Sequence, residues 1–202
     1  MQQSRFELKF LIDEAVASRV RDFVRCYLAM DEYGVGRPDY AYPVHSLYLD
    51  SDDLQIYWRT VNGEKNRYKL RLRYYSDQPD SPVFFEVKRR MKDVILKQRG
   101  GVRQDAVPRL LAGQLPDPSE VLTRDAKSLA AVHRFQELML SINAKPKSHI
   151  FYRRVTAMGH RKLAAHAAVL EEESLLSSCR PGDDLPDFVR QDTGIPRQVS
   201  GR

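Results

Sequence analysis

Residues 67–75 read RYKLRLRYY, and the alternation within this stretch decides the fold class. Its side chains fall into two sets, one apolar or aromatic and one cationic. The first set is Tyr68, Leu70, Leu72 and Tyr74, and the second is Lys69, Arg71 and Arg73. Because successive side chains of a β-strand point to opposite faces of a sheet, the pattern predicts a strand with one core face and one positively charged face.

Strands of the same kind are predicted on both sides of this stretch. Residues 4–12 (RFELKFLID), 83–90 (VFFEVKRR) and 93–99 (DVILKQR) also place charged side chains on one face. Residues 44–50 and 148–156 predict two further strands. Together these segments predict an antiparallel sheet, since one face of such a sheet can be apolar and the other polar.

Helices are predicted in three other parts of the chain. Asp13 is the predicted N-cap of an amphipathic helix over residues 14–28. Residues 107–143 are predicted to form a short helix and a longer one, separated by Pro116 and Pro118. Residues 161–177 favour a helix by composition. Glycine and proline residues after position 178 predict coil. The sequence therefore predicts an α+β protein.

The composition points to an anionic partner without naming it. The chain has 202 residues and a formal net charge of +6, with 42% hydrophobic and 30% charged residues. These proportions are typical of a globular domain. The positive charge is compatible with nucleic acid, a phosphate polymer or a membrane surface.

The cysteines and the N-terminus favour a reducing, cytoplasmic compartment. Cys26 and Cys179 are far apart and form no CxxC pair, which predicts neither a disulfide framework nor a zinc site. Residues 1–5 lack the apolar core of a signal peptide. No apolar run approaches the roughly 18 residues that span a bilayer, so no transmembrane segment is expected.

Two interpretations fit the charged strand faces. An ordinary solvated face would explain them, although such faces usually mix charged residues with threonine, serine and glutamine. Alternatively, the sheet closes into a barrel with the charges inside, where like charges repel strongly unless a polyanion fills the lumen. Arginine suits that role because its planar fork matches phosphate oxygens. The cations on these faces are Lys9, Lys69, Arg71, Arg73, Lys88, Lys97, Arg99 and Arg154.

Several common motifs are absent, which narrows the function classes. The sequence has no Walker-type P-loop, no G-x-G-x-x-G and no H-E-x-x-H motif.

A basic domain that binds nucleic acid would use exposed aromatic rings beside its cations to stack bases. Tyr68 and Tyr74 fall instead on the apolar face of their strand, so no nucleic-acid partner is predicted.

Six short motifs occur in a fixed order along the first three quarters of the chain. They are RFELKF at 5–10, SLYLDS at 46–51, LRLRYY at 70–75, FFEVK at 84–88, LKQR at 96–99 and FYRR at 151–154. Each is similar to one strand of the vacuolar transporter chaperone (VTC) polyphosphate polymerase domain. By these motifs the chain resembles the VTC family, which belongs to the triphosphate tunnel metalloenzymes.

The resemblance implies a fold and a chemistry. The implied fold is an antiparallel β-barrel with flanking helices, whose tunnel binds ATP, triphosphate or inorganic polyphosphate. The implied activity is a metal-dependent phosphotransferase that moves the γ-phosphate of ATP onto a polyphosphate chain, with Mn²⁺ or Mg²⁺. A tunnel-type inorganic triphosphatase and a non-catalytic polyphosphate-binding protein remain alternatives.

The resemblance also implies the site residues. The implied phosphate-binding residues are Lys9, Arg59, Arg71, Arg73, Lys88, Lys97 and Arg154. The implied metal ligands are Glu7 and Glu86, since hard oxygen ligands suit Mg²⁺ and Mn²⁺.

The sequence departs from the family pattern after Arg154. Neither an R-x-[ST]-x-D-R strand nor a later E-x-K element follows, and the acidic run at 171–173 is interpreted as a solvated helix face. We therefore expect a barrel without its last strands, with phosphate binding expected and catalysis left open. The predicted domains are a partial tunnel domain over residues 1–157 and a divergent helical or disordered tail over residues 158–202.

Overall fold

The structure is a computed structural model that describes most of the chain. The described residues are 8, 10–76, 78–158, 167–171, 175–178 and 189. They divide into two units, one made of Met1–Tyr42 with Arg153–Glu172 and the other of Pro43–Tyr152 with Glu173–Arg202. The second unit holds most of the predicted sheet.

Helices and strands alternate irregularly along the chain. In chain order they are α1 (Glu14–Arg25), β1 (Ala29–Met30), β2 (Tyr42–Asp50), α2 (Gln55–Val61), β3 (Asn66–Tyr74), β4 (Val83–Met91), β5 (Val94–Val102), α3 (Val107–Leu111), α4 (Ala126–Ser141), β6 (Lys145–Met158), β7 (Ala167–Glu171) and β8 (Leu175–Ser178). Short 3-10 turns occupy Pro38–Tyr40 and Gln104–Ala106.

The sheet of the second unit has the strand order β6-β2-β3-β4-β5. The strands run antiparallel and the sheet curls into a half-barrel with helices beside it. Leu72 of β3 lies opposite Leu47 of β2 and Phe85 of β4, which fixes the register across three strands. The prediction of an α+β fold with an incomplete antiparallel barrel is confirmed.

The apolar face of this sheet is the core of the second unit. Leu47, Leu70, Leu72 and Phe85 are fully buried. Phe85 packs edge-on against Phe135 of α4, with ring centroids 4.9 Å apart. Burying a side chain of this size stabilises a fold by roughly 1.5–3 kcal/mol, so this face holds the sheet and α4 together.

Helix α4 lies close to β5 because of one glycine. A Cβ atom at Gly100 would lie 2.5 Å from the backbone oxygen of Ser128 and 2.6 Å from a methyl carbon of Val132. Asp125 is the N-cap of α4, and its carboxylate accepts a hydrogen bond from the Ser128 amide at 2.6 Å. The short and the longer helix predicted within residues 107–143 are confirmed as α3 and α4.

The first unit contains α1 and the distal half of β6. Asp13 is the N-cap of α1, as predicted, and its carboxylate accepts from the Val16 amide at 2.7 Å. Strands β1 and β7 both pair with β6 in antiparallel fashion.

Two sequence-based predictions of secondary structure are wrong where the structure describes them. Leu8 and residues 10–12 lie outside any strand, whereas residues 4–12 were predicted to form one. The alternation there is compatible with a strand, but a strand needs a hydrogen-bonded neighbour and these residues pair with none of the described strands. Residues 167–171 and 175–178 form β7 and β8 instead of part of a helix. Pairing with β6 outweighs their helical composition, because propensity is a weak local preference.

Candidate anion-binding site

The second face of the half-barrel carries its charged side chains in rows across the strands. Arg71 of β3 lies opposite Glu86 of β4, which lies opposite Arg99 of β5. The next row is Lys69, Lys88 and Lys97 on the same three strands. We call the following set the cation cluster: Lys69, Arg71, Arg73, Lys88, Lys97 and Arg99, arranged around Glu86.

Glu86 lies at the centre of the cation cluster and its side chain is only 1% exposed. Its Oε2 accepts a hydrogen bond from Nε of Arg71 at 2.6 Å, and Nη2 of Arg71 lies at 2.6 Å from the same oxygen. Its Oε1 faces Nζ of Lys97 at 3.2 Å and Nε of Arg99 at 3.4 Å. One buried carboxylate thus contacts three cations from two neighbouring strands.

Glu86 and its neighbouring cations stabilise each other's charged forms. Burial raises the pKa of Glu86, but the positive charges of Arg71, Lys97 and Arg73 outweigh burial and hold the pKa below its ordinary value. Burial lowers the pKa of Arg71, but Glu86 and Tyr48 raise it above its ordinary value. Both groups are therefore ionised at neutral pH, which keeps the ion pair intact.

Arg73 is buried among neutral hydroxyl groups. Its residue is 7% exposed, its Nε and Nη2 donate to Oγ of Ser46 at 3.3 and 3.2 Å, and Nη2 also donates to the Tyr152 hydroxyl at 3.3 Å. Within the described part of the chain, no carboxylate is ion-paired with Arg73. The charge of Arg73 acts on Glu86 from beyond ion-pair distance, but its hydrogen-bond partners are neutral, so this buried position favours an added anion.

The lysine row places three like charges side by side. Like charges directly opposite one another on neighbouring strands destabilise a sheet. Lys97 contacts Glu86, while among the residues that the structure describes no carboxylate lies within ion-pair distance of Lys69 or Lys88. These lysines are exposed, so an incoming anion can reach them.

Arg99 was not among the predicted phosphate-binding residues, although the sequence showed its charge. Its guanidinium carbon lies 3.5 Å from the centroid of the Phe84 ring, and its Nη2 donates to the Tyr75 hydroxyl at 3.4 Å. The K-x-R alternation at 97–99 does place Arg99 on the same charged face as Lys97, and only the set of phosphate-binding residues implied by the resemblance leaves it out. Its position opposite Glu86 depends on the register, which the sequence does not reveal.

The structure brings part of the predicted site together. Arg71, Arg73, Lys88, Lys97 and Glu86 share one face of the half-barrel. The other predicted residues lie elsewhere or are not described, as follows.

Arg59 lies on α2 and is half-buried, and among the described residues its side chain makes no hydrogen bond or ion pair with the cation cluster. Arg154 lies on β6 in the first unit, opposite Glu171 of β7. Lys9 and Glu7 lie outside the described residues. The roles assigned to these four residues stay predictions.

The metal-binding role of Glu86 stays a prediction, and the described residues add no further ligands to it. A hard divalent cation takes several oxygen ligands. The described residues contain no group of three carboxylate, histidine or cysteine side chains that could hold a metal ion. Oε2 of Glu86 accepts a hydrogen bond from Arg71, whereas Oε1 is buried and makes no hydrogen bond. Lys97 and Arg99 lie beside Oε1, and their positive charges would repel a divalent ion. The predicted Mn²⁺ or Mg²⁺ thus finds no complete ligand set in this part of the chain.

Most of the chain matches the model of one known family. The model of the family described as VTC domain matches residues 4–162. The chain belongs to the VTC domain family. Membership implies a polyphosphate-related function at the level of the family. No curated protein matches the chain significantly.

None of the described helices is both long enough and apolar enough to cross a bilayer.

Proposed function

We propose that the VTC domain described here binds the phosphates of ATP and inorganic polyphosphate at the cation cluster and transfers the γ-phosphate of ATP to a polyphosphate chain. The observation that carries this proposal is the arrangement of six cations in register around one buried carboxylate. One carboxylate does not balance the positive charge of six cations, and a bound phosphate chain would supply the missing negative charge.

The rows of the cation cluster suit an elongated anion. Rows on one face are two residues apart along a strand, or about 7 Å at a rise of about 3.3 Å per residue. Arg73, Arg71 and Lys69 therefore place positive charge at three successive levels along β3. A chain of phosphates lying along the strand would meet a cation at each level.

The arrangement also suits the chemistry of phosphoryl transfer. Transfer of a γ-phosphate needs little covalent help from the protein, because positioning and neutralisation of the phosphate charges lower the barrier. Arginine forks bind phosphate oxygens in pairs and orient them, and lysines add charge without fixing an orientation. In this proposal Arg71 and Arg73 orient the phosphates, and Lys88 and Lys97 neutralise them. A divalent metal ion, if one is bound, would neutralise further charge.

The proposed partners are ATP, triphosphate and polyphosphate rather than nucleic acid. Tyr74 is 1% exposed and Tyr68 packs against the hydrophobic core, which makes neither ring available for stacking on a base. The cytoplasmic location stays a prediction from the cysteine content.

Incubation of the purified chain with ATP and Mn²⁺ or Mg²⁺ tests the proposal. We expect polyphosphate to form and the variant Arg71→Ala/Arg73→Ala to make none. The matched control is Arg103→Ala/Arg134→Ala, which removes two arginines that are ion-paired outside the cluster. Release of inorganic phosphate without polymer would favour the triphosphatase alternative. Tripolyphosphate binding without either product would favour a non-catalytic binding protein, and equal polymer from all three proteins would refute the proposed site.

A further inference from the structure

We propose that Glu86 is a positioning residue rather than a ligand of a divalent metal. Its buried carboxylate orients Arg71 through a hydrogen-bonded ion pair and attracts Lys97 and Arg99 by charge, so that the three cations meet phosphate together. This inference rests on the proposed phosphate-binding function. It assigns to Glu86 a role different from the one implied by the family resemblance.

The depth of the side chains is the first argument. The Glu86 side chain is 1% exposed, whereas those of Arg71, Arg99 and Lys97 are 18%, 36% and 48% exposed. The carboxylate thus lies beneath the cations, and the cations extend from it towards solvent. An anion that arrives from solvent meets the cations first and does not meet the carboxylate.

The geometry of Arg71 is the second argument. The edge of its guanidinium formed by Nε and Nη2 faces Glu86, and Nη1 faces the Tyr48 hydroxyl at 3.3 Å. Contacts on two sides fix the plane of the group. A planar fork held in one orientation loses less conformational freedom when it binds phosphate than a free side chain does.

The mutual repulsion of the cations is the third argument. Arg71 and Arg99 flank Glu86 on the two neighbouring strands, so removal of the carboxylate would leave like charges facing each other. Long, flexible side chains would then turn apart towards water. The negative charge of Glu86 reduces the attraction of the cluster for an anion, but it also keeps the cations pointing towards the same place. For the affinity for phosphate, the second effect is the larger one.

The test separates positioning from charge and from metal binding. Tripolyphosphate affinity is measured by calorimetry in EDTA and then with Mn²⁺ for the wild type, Glu86→Gln and Glu86→Asp. The control is Glu120→Gln, which removes a carboxylate that is ion-paired with Arg109 outside the cluster. Circular dichroism shows whether each variant folds. If Glu86→Gln does not fold, the comparison with the wild type uses Glu86→Asp, which keeps the negative charge.

We expect both Glu86 variants to bind tripolyphosphate about tenfold more weakly than the wild type in EDTA, since charged hydrogen bonds of Arg71 lose their orientation. We expect Mn²⁺ to change all affinities by the same factor. Equal or tighter metal-free binding by Glu86→Gln would overturn the proposal, because Glu86 would then be only a counter-charge. Loss of the Mn²⁺ effect alone would also overturn it and would make Glu86 a metal ligand.

A spectroscopic measurement keeps the inference separate from the proposed function. The Nε–H signal of Arg71 is followed by ¹⁵N NMR without ligand and is assigned with Arg71→Lys. We expect slow solvent exchange in the wild type and fast exchange in Glu86→Gln. If the wild type binds no tripolyphosphate, the proposed function is wrong. If the Arg71 signal exchanges at the same rate in the wild type and in Glu86→Gln, the positioning role is wrong, whatever the binding result.

Discussion

Arg73 shows at the scale of one residue how binding and stability can oppose each other. Its guanidinium is buried and its described partners are the hydroxyl groups of Ser46 and Tyr152. Replacing buried charged groups with apolar side chains of similar size is often neutral or stabilising when no partner charge is left unpaired, and the described residues hold no ion pair of Arg73. A charge kept at such a position is explained by an anionic ligand rather than by the fold.

Substitution of Arg73 with methionine should therefore separate the two properties. We expect the thermal unfolding midpoint of Arg73→Met to equal or exceed that of the wild type, and its tripolyphosphate affinity to fall by roughly tenfold or more, the effect of losing a charged hydrogen bond. Differential scanning calorimetry and titration calorimetry measure the two effects. A large fall in the midpoint with unchanged affinity would show that Arg73 is structural.

The stability of the fold should depend on pH through Glu86. The cations around it lower its pKa in the folded state below the unfolded value. Glu86 therefore contributes stability that is fully present above the unfolded pKa of about 4.3 and is lost as the pH falls through the folded pKa. Urea unfolding of the wild type and Glu86→Gln, measured from pH 7 downwards, should show a stability difference that shrinks below about pH 4.5. A difference that stays constant with pH would contradict this.

The alternation that the sequence shows is sufficient to predict the faces of a strand but not its neighbours. Residues 67–75 predicted an apolar and a cationic face, and Leu70 and Leu72 are indeed buried while Lys69 is exposed. The register that places Glu86 between Arg71 and Arg99 depends on contacts between distant segments. The local pattern therefore placed all six cations of the cluster on charged faces, but it did not reveal the central position of Glu86.

The helical prediction for residues 161–177 failed for a related reason. Alanine-rich composition favours a helix locally, yet the structure pairs β7 and β8 with β6. Hydrogen bonding to an available strand edge is a non-local effect, and single-sequence propensity does not include it.

Packing of α4 against β5 supports the face opposite the cluster, and Gly100 permits it. We expect Gly100→Ala to destabilise the fold by about 1–3 kcal/mol, because overpacking forces the backbone of α4 away from the strand. Urea denaturation measures this. Gly101→Ala is the comparison, since a Cβ there meets the side chains of Leu122 and Phe84, which can rotate. If the two substitutions lowered the free energy of unfolding equally, the close approach of α4 to β5 would not depend on the missing side chain of Gly100.

At the scale of the whole molecule, the cation cluster is a local excess of positive charge. The chain has 33 lysine and arginine residues and 27 aspartate and glutamate residues. Without the six cations and one carboxylate of the cluster, 27 and 26 remain, so the cluster carries +5 of the formal +6. The anionic partner that composition indicates is therefore expected at this face of the half-barrel.

Titration of the chain with tripolyphosphate at low ionic strength tests the central claim most directly. Wild type, Arg71→Ala/Arg73→Ala and the control Arg103→Ala/Arg134→Ala are compared by calorimetry. The cation cluster predicts that wild type and control bind alike, that added salt weakens both, and that the cluster variant binds roughly a hundredfold more weakly. Equal affinity in the cluster variant and the control would contradict the claim, because the phosphates would then bind elsewhere.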